Sequence, residues 1–281
     1  MKTKSLISVL LAGGMLMAGC TNSDTNTTVK QETTSIDLQQ ELDAYKDFAL
    51  EQMDQFVIET EKFVTAVKNG EVEKAKSIYP LARMYFERSE PIAESFGDLD
   101  PRIDARLADL QDEGKGEEDW SGYHKIEYGL WVENTTAGYE AVADQLLKDA
   151  KELRARVETV EVTPDLMITG SVDLLNEVST SKITGEEEIY SHTDLYDFKA
   201  NIEGAEKIFT ILKEKIAAKD PALTEELTDK FATIDNLLAA YEDGNGKFVS
   251  YEDLTATDTK ALSEAVNQLG EPLSQMGIIM E

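Results

Sequence analysis

From residue 36 to the C-terminus the apolar side chains recur at spacings of three, four and seven, with almost no two-residue alternation. Phe48, Met53, Phe56, Val57, Phe63, Val64 and Val67 form one such stripe, which ends at Asn69-Gly70. A stripe of that period comes to one side only on an α-helix, so the pattern dictates a helical protein. Further helices are expected over about 71–96, 103–110, 120–132, 136–160, 193–218, 221–242 and 257–276. Pro80 and Pro91 are expected to kink or break the second of these. Thr163-Pro164, a capping residue before a proline at the first helical position, opens another that runs to about residue 179. Gly185 and the three glutamates after it mark a break. Only residues 247–251 alternate as a strand would, and they are too few to define a sheet. The expectation is an all-α protein of seven or eight helices in two antiparallel bundles, one over about 36–160 and the other over about 161–281.

The N-terminus has a different character. Lys2 and Lys4 precede an apolar, small-residue run from Leu6 to Ala18, too short for a stable membrane span. It ends Met17-Ala18-Gly19-Cys20 and resembles a bacterial lipoprotein signal, with Met17 in the slot that more often holds leucine. Residues 1–19 are therefore expected to be a cleaved signal peptide, and Cys20, the single cysteine, the lipidated anchor. Residues 20–35, rich in Asn, Thr and Ser, read as a flexible tether to a helical domain at 36–281. The expected location is the extracytoplasmic side of the cell membrane.

Charge narrows the function. With 27 basic against 56 acidic residues the formal charge is −29, a surface that repels nucleic acid and anionic headgroups and attracts cations or basic partners. Among the acids stand two histidines. His124 lies in Tyr-His-Lys-Ile-Glu-Tyr-Gly-Leu-Trp, residues 123–131, and on a helix it shares a face with Glu127, an imidazole and a carboxylate able to grip one cation. The plain structural alternative has His124 bonded to a carbonyl inside a bundle. Glu87, Glu90 and Glu94 fall within about 60° of one another on a helix, with Asp98, Asp100 and Asp104 close behind. They are either hard oxygen ligands or the solvated face of an amphipathic helix. His192 and Asp194, with Asp197 one turn on, form a third constellation, which capping by Ser191 or Thr193 explains in part. A zinc hydrolase's His-Glu-x-x-His is absent. Asp243 to Lys247 begins like a calcium loop, but Phe248 and Leu254 stand where glycine and glutamate belong, so it reads as a turn.

Four stretches in order, at residues 79–83 through 104–106, 123–131, 190–205 and 246–251 with 271–273, resemble EfeO-type iron-uptake lipoproteins of the imelysin-like, His-x-x-Glu family. The resemblance covers about residues 40–280. It implies two four-helix bundles with a metal site at the His-x-x-Glu motif near their junction, and capture of iron, Fe(II) or Fe(III), for delivery to an Efe-type permease beside a dye-decolourising haem peroxidase. Zinc or another divalent metal would compete in vitro. Carried onto this chain, it makes His124 and Glu127 the first ligands and Glu90 and Asp98 the next, with Glu87, Glu94, Asp100, His192 and Asp194 as further candidates. The role implied is that of a binding protein with no catalytic residues; the competing expectation is a cell-surface zinc metallopeptidase of the imelysin type.

Overall fold

The apolar stripe of residues 48–67 folds as α1 (Gln39–Lys68), closed by Gly70 in the left-handed region at φ 77°. A computed structural model describes residues 36–280; the expected leader, Cys20 and the tether lie outside the described residues. After α1 come α2 (Val72–Glu87), α3 (Glu90–Ala93), α4 (Asp100–Asp104), α5 (Leu107–Asp112), α6 (Gly122–Trp131) and α7 (Glu140–Thr159). The rest is α8 (Pro164–Thr180), α9 (Asp194–Lys219), α10 (Pro221–Ala239) and α11 (Ala256–Met280). Among the described residues there is no strand, only one antiparallel bridge between Glu242 and Phe248. That bridge closes a turn in which the Asp243 carboxylate accepts the N–H groups of Asn245 and Lys247, at 3.0 and 3.1 Å. No described helix is long and apolar enough to cross a membrane.

The all-α class follows from the hydrophobic period, the expected cap at Thr163 is in place, and Asp220 supplies another. Thr163 accepts the N–H of Leu166 at 3.1 Å to start α8, and Asp220 accepts that of Leu223 at 3.0 Å to start α10. Three expectations need correction. The helices number eleven among the described residues, because α3, α4 and α5 are short pieces. Pro80 does not break α2, which runs through it. A proline removes one backbone bond, and α2 is held on both sides by α1 and α9, with Tyr79, Ala82 and Phe86 buried between them. The break comes at Arg88-Ser89, and Pro91 stands in the first turn of α3, where its missing N–H costs nothing. The single helix expected over 103–110 is divided at Ala105 and Arg106, both extended. There the Trp120 indole N–H donates to the Ala105 carbonyl at 2.9 Å.

Helices α1, α2 and α7 pack together with α6 across their end, and α8, α9, α10 and α11 form a second group. Helix α9 also packs on α2 and so lies between the two. The first group encloses a run of aromatic rings: Phe63 stacks on Tyr123 at 5.3 Å, and Tyr79 meets Trp131 edge-on at 5.3 Å. The second is aliphatic, with Leu212, Leu227, Ile234, Leu262, Val266 and Leu273 buried around Phe209 and Phe231.

One junction fixes the geometry described below. Gly122 opens α6 at φ 81°, and a Cβ there would stand 2.2 Å from the Ile103 carbonyl oxygen. Ser121 donates to the Arg102 carbonyl at 2.9 Å beside it. The start of α6 therefore lies directly against the end of α4, one residue from Asp104. Gly122→Ala combines a disfavoured φ with a clash against backbone, so thermal denaturation should show a loss of about 2–4 kcal/mol; unchanged stability would disprove this account of the junction.

Candidate metal centre

Helical spacing sets out the buried polar groups. On α2, Tyr79, Arg83 and Glu87 are four apart and share one face; on α9, Asp194, Asp197 and Asn201, three and four apart, share another. Between these faces come Glu90 from α3, Asp104 from the end of α4, His124 and Glu127 from α6, Lys182 from a 3₁₀ turn, and Glu187 and Glu188 from the segment before α9. All are buried except Asp104, whose side chain is 11% exposed.

His124 is the one imidazole among them. Its Nδ1 lies 3.1 Å from Glu127 Oε2 and 3.4 Å from the Tyr79 hydroxyl. The other Glu127 oxygen accepts the backbone N–H groups of Tyr190 and Ser191, at 3.0 and 2.7 Å. With Glu127 ionised, the imidazole proton is held on Nδ1 and the Nε2 lone pair is free. Nε2 is buried without a hydrogen-bond partner, and two carboxylate oxygens stand within 4 Å of it, Asp104 Oδ1 at 3.6 Å and Glu187 Oε1 at 3.9 Å. These three atoms lie within 4.8 Å of one another. Burial, with the Arg83 charge nearby, lowers the His124 pKa to about 4, so the ring is neutral and its contacts with the two carboxylates are not ion pairs. A neutral imidazole with an unshared pair facing two carboxylates is a fit for a transition-metal ion.

Arg83 organises the carboxylates around this centre. Its guanidinium reaches Glu87 at 2.7 Å, Glu188 at 2.6 Å and Asp197 at 3.4 Å, and it also bonds Asp104. Burial would lower its pKa, but Asp104, Asp197 and Glu188 hold it charged. Lys182 plays the same part for Glu87 at 3.0 Å and both oxygens of Glu90 at 2.9 and 3.0 Å.

Of the residues expected from sequence, His124, Glu127, Glu87, Glu90 and Asp194 are brought into this buried region. Glu87 and Glu90 are engaged by Lys182, and Asp194 accepts the Glu188 N–H at 3.1 Å. Glu94 and Asp100 line an adjoining acidic cleft of about 220 Å³, together with Glu90, Asp104, Glu177 and Glu187. Asp98 is not part of the cluster: it is exposed and paired with Arg156 at 2.7 Å. His192 is also elsewhere, in the left-handed region at φ 57°, with its ring 3.7 Å from Glu252. Capping by Ser191 or Thr193 is not used either: Ser191 donates to Glu188 at 2.7 Å, and Thr193 has no side-chain cap bond. Sequence reasoning missed Glu187 and Glu188, which read as a charged break, and the central role of Arg83. The one available signal was the Arg83–Glu87 spacing of four.

The imelysin family profile matches residues 41–276. The Efem/EfeO family lipoprotein of Staphylococcus haemolyticus (strain JCSC1435) is 53% identical over 291 residues, spanning 99% of this chain and 100% of that protein. Proteins of the same description from Staphylococcus aureus strains MSSA476 and N315 are 53% and 52% identical over 259 residues, each spanning 91% of this chain and 90% of theirs.

Several of the buried acids take up protons more readily than a free carboxylate, whereas Glu87 is pulled down to about 2, against its burial, by Lys182 and Arg83. Burial raises Glu127 to about 7 against its hydrogen bonds from Ser191 and Tyr190, and burial with the charges of Asp104 and Glu94 raises Asp100 to about 7. Burial also raises Glu90, Glu188 and Asp197. Each of these groups has a folded pKa above its unfolded one, so its stabilising effect is complete below about pH 4 and is lost as pH rises through the folded value. His124 acts oppositely between pH 4 and 6.5, one group against several. The metal-free protein should therefore melt at a lower temperature at pH 8 than at pH 5.5, read by calorimetry; a rising or flat profile would contradict the protonated cluster.

Proposed function

Because the chain belongs to the imelysin family and is similar along its length to Efem/EfeO family lipoproteins, we propose that it is the iron-binding component of an Efe-type uptake system, anchored by lipid on the extracytoplasmic face of the membrane. Residues 1–19 would be removed as the signal peptide, Cys20 would carry the lipid, and residues 20–35 would tether the helical domain. The protein captures iron outside the membrane and passes it to an Efe-type permease, with a dye-decolourising haem peroxidase as the accompanying partner. The observation that carries this reading is the free, buried Nε2 of His124 facing the carboxylates of Asp104 and Glu187. One imidazole with oxygen donors suits Fe(II), Fe(III) or Mn(II), and Zn(II) competes on affinity order. Three protein donors leave positions for water, which suits a cargo that must be released.

Glu127 then acts through His124 by fixing its tautomer and is itself saturated by two amides and the ring. That arrangement supports a positioning role over the general base a zinc metallopeptidase would need. Metal-dependent cleavage of a peptide library, abolished by Glu127→Gln, would reverse the assignment and make the protein a non-transporting enzyme.

Anaerobic Fe(II) titration of the purified full chain should give one high-affinity ion in wild type and none in His124→Ala. Glu127→Gln should weaken binding by about 10–100-fold, the usual effect of losing a partner behind a ligating histidine. Equal affinity and stoichiometry in all three proteins would reject the centre. Cys20→Ser should move the protein from the membrane fraction to the medium and abolish palmitate labelling; retention of both would reject the anchor.

A further inference from the structure

Two hollows meet at a pair of side chains, Arg106 and Asp109. The acidic cleft contains Glu94 and Glu177, and a second hollow of about 350 Å³ has Trp120, His124 and Tyr190 in its wall. Among the described residues, Arg106 and Asp109 alone line both. The Arg106 guanidinium donates to Asp109 at 2.9 and 2.7 Å, lies 3.2 Å from Glu186 and 3.6 Å from Glu187, and so spans from α5 to the segment before α9.

Glu187 is common to this strap and to the candidate centre. Three cations come near it: Arg83 at 3.7 Å, Lys182 at 3.9 Å and Arg106 at 3.6 Å. Arg83 and Lys182 are 1% and 4% exposed and fixed by several carboxylates; Arg106 is 20% exposed and reaches solvent. The Arg106 backbone N–H also bonds the Asp109 carboxylate at 3.1 Å, so the start of α5 keeps its cap when the guanidinium leaves.

We propose that Arg106 is the gate of the metal centre. It bars the passage between the acidic cleft and His124, and it swings outward when a cation takes its place on Glu187 on the way to Nε2. The proposal rests on the His124–Asp104–Glu187 reading above. It makes Arg106 a positioning residue that sets the rate of metal entry and exit, since a guanidinium beside Glu187 Oε2 and a metal ion on Oε1 of the same carboxylate repel each other strongly at that range.

The test is stopped-flow binding of Co(II) to the full chain, followed by release into excess EDTA, in wild type, Arg106→Gln, Arg106→Lys and Arg156→Gln. The last removes the same charge from a surface pair with Asp98. Loss of a gate should speed both entry and release in Arg106→Gln by at least about fivefold, the scale of breaking a partly buried ion-pair set, with Arg106→Lys intermediate and Arg156→Gln unchanged. A purely electrostatic role would speed entry but slow release, because uncovered Glu186 and Glu187 would hold the ion more tightly; that result, or rates equal to Arg156→Gln, overturns the gate. Absence of Co(II) binding in wild type would instead bring down the centre itself.

Discussion

The arrangement of this protein depends on a guanidinium buried among carboxylates. Arg83 is 1% exposed and touches acids from α2, α4, the segment before α9, and α9 itself. Removing one partner from such a buried set leaves an uncompensated charge, at a cost of about 3–5 kcal/mol. The helices that supply the partners are therefore fixed relative to one another more sharply than apolar packing alone would fix them. Lys182 repeats the device at Glu87 and Glu90, and Asn201 completes it by donating to both, at 3.0 and 2.8 Å.

Within that frame the candidate centre has a layered construction. Backbone amides at residues 190 and 191 hold Glu127, Glu127 holds Nδ1 of His124, and the remaining nitrogen faces two acids from other segments. Carboxyl groups far outnumber the two buried cations, and burial keeps several of them protonated. A metal ion entering the region replaces protons, which links its affinity to pH. The two roles that His-x-x-Glu suggests for a ligand pair are thus divided: the histidine presents a free donor, and the glutamate decides which nitrogen is free.

Much of this was legible in advance. The period of the apolar residues specified helices, Thr163 before Pro164 announced where one of them begins, and His124 with Glu127 stood out because imidazoles are rare in so acidic a chain. The parts that misled have local causes. Pro80 signals a break, yet packing by α1 and α9 outweighs one lost backbone bond. Asp98 stands in the same acidic run as Glu90 and Asp100, but the turn at Gly97 and the pairing with Arg156 carry it to the surface. Glu187 and Glu188 read as a solvated break because a run of acids has no periodicity, and nothing in their own neighbourhood shows that Arg83 lies opposite.

By itself the sequence determined the helical class, the stripe that each long helix buries and the one imidazole–carboxylate pair on a single turn, because each of these is set by residues within a few positions of one another. Which acids meet that imidazole, which nitrogen stays free and where the cations lie was decided only by tertiary structure. Those contacts join α4, α6 and the segment before α9, far apart in the chain, and they depend on the close approach that Gly122 permits and on charges whose balance exists only once water has been excluded.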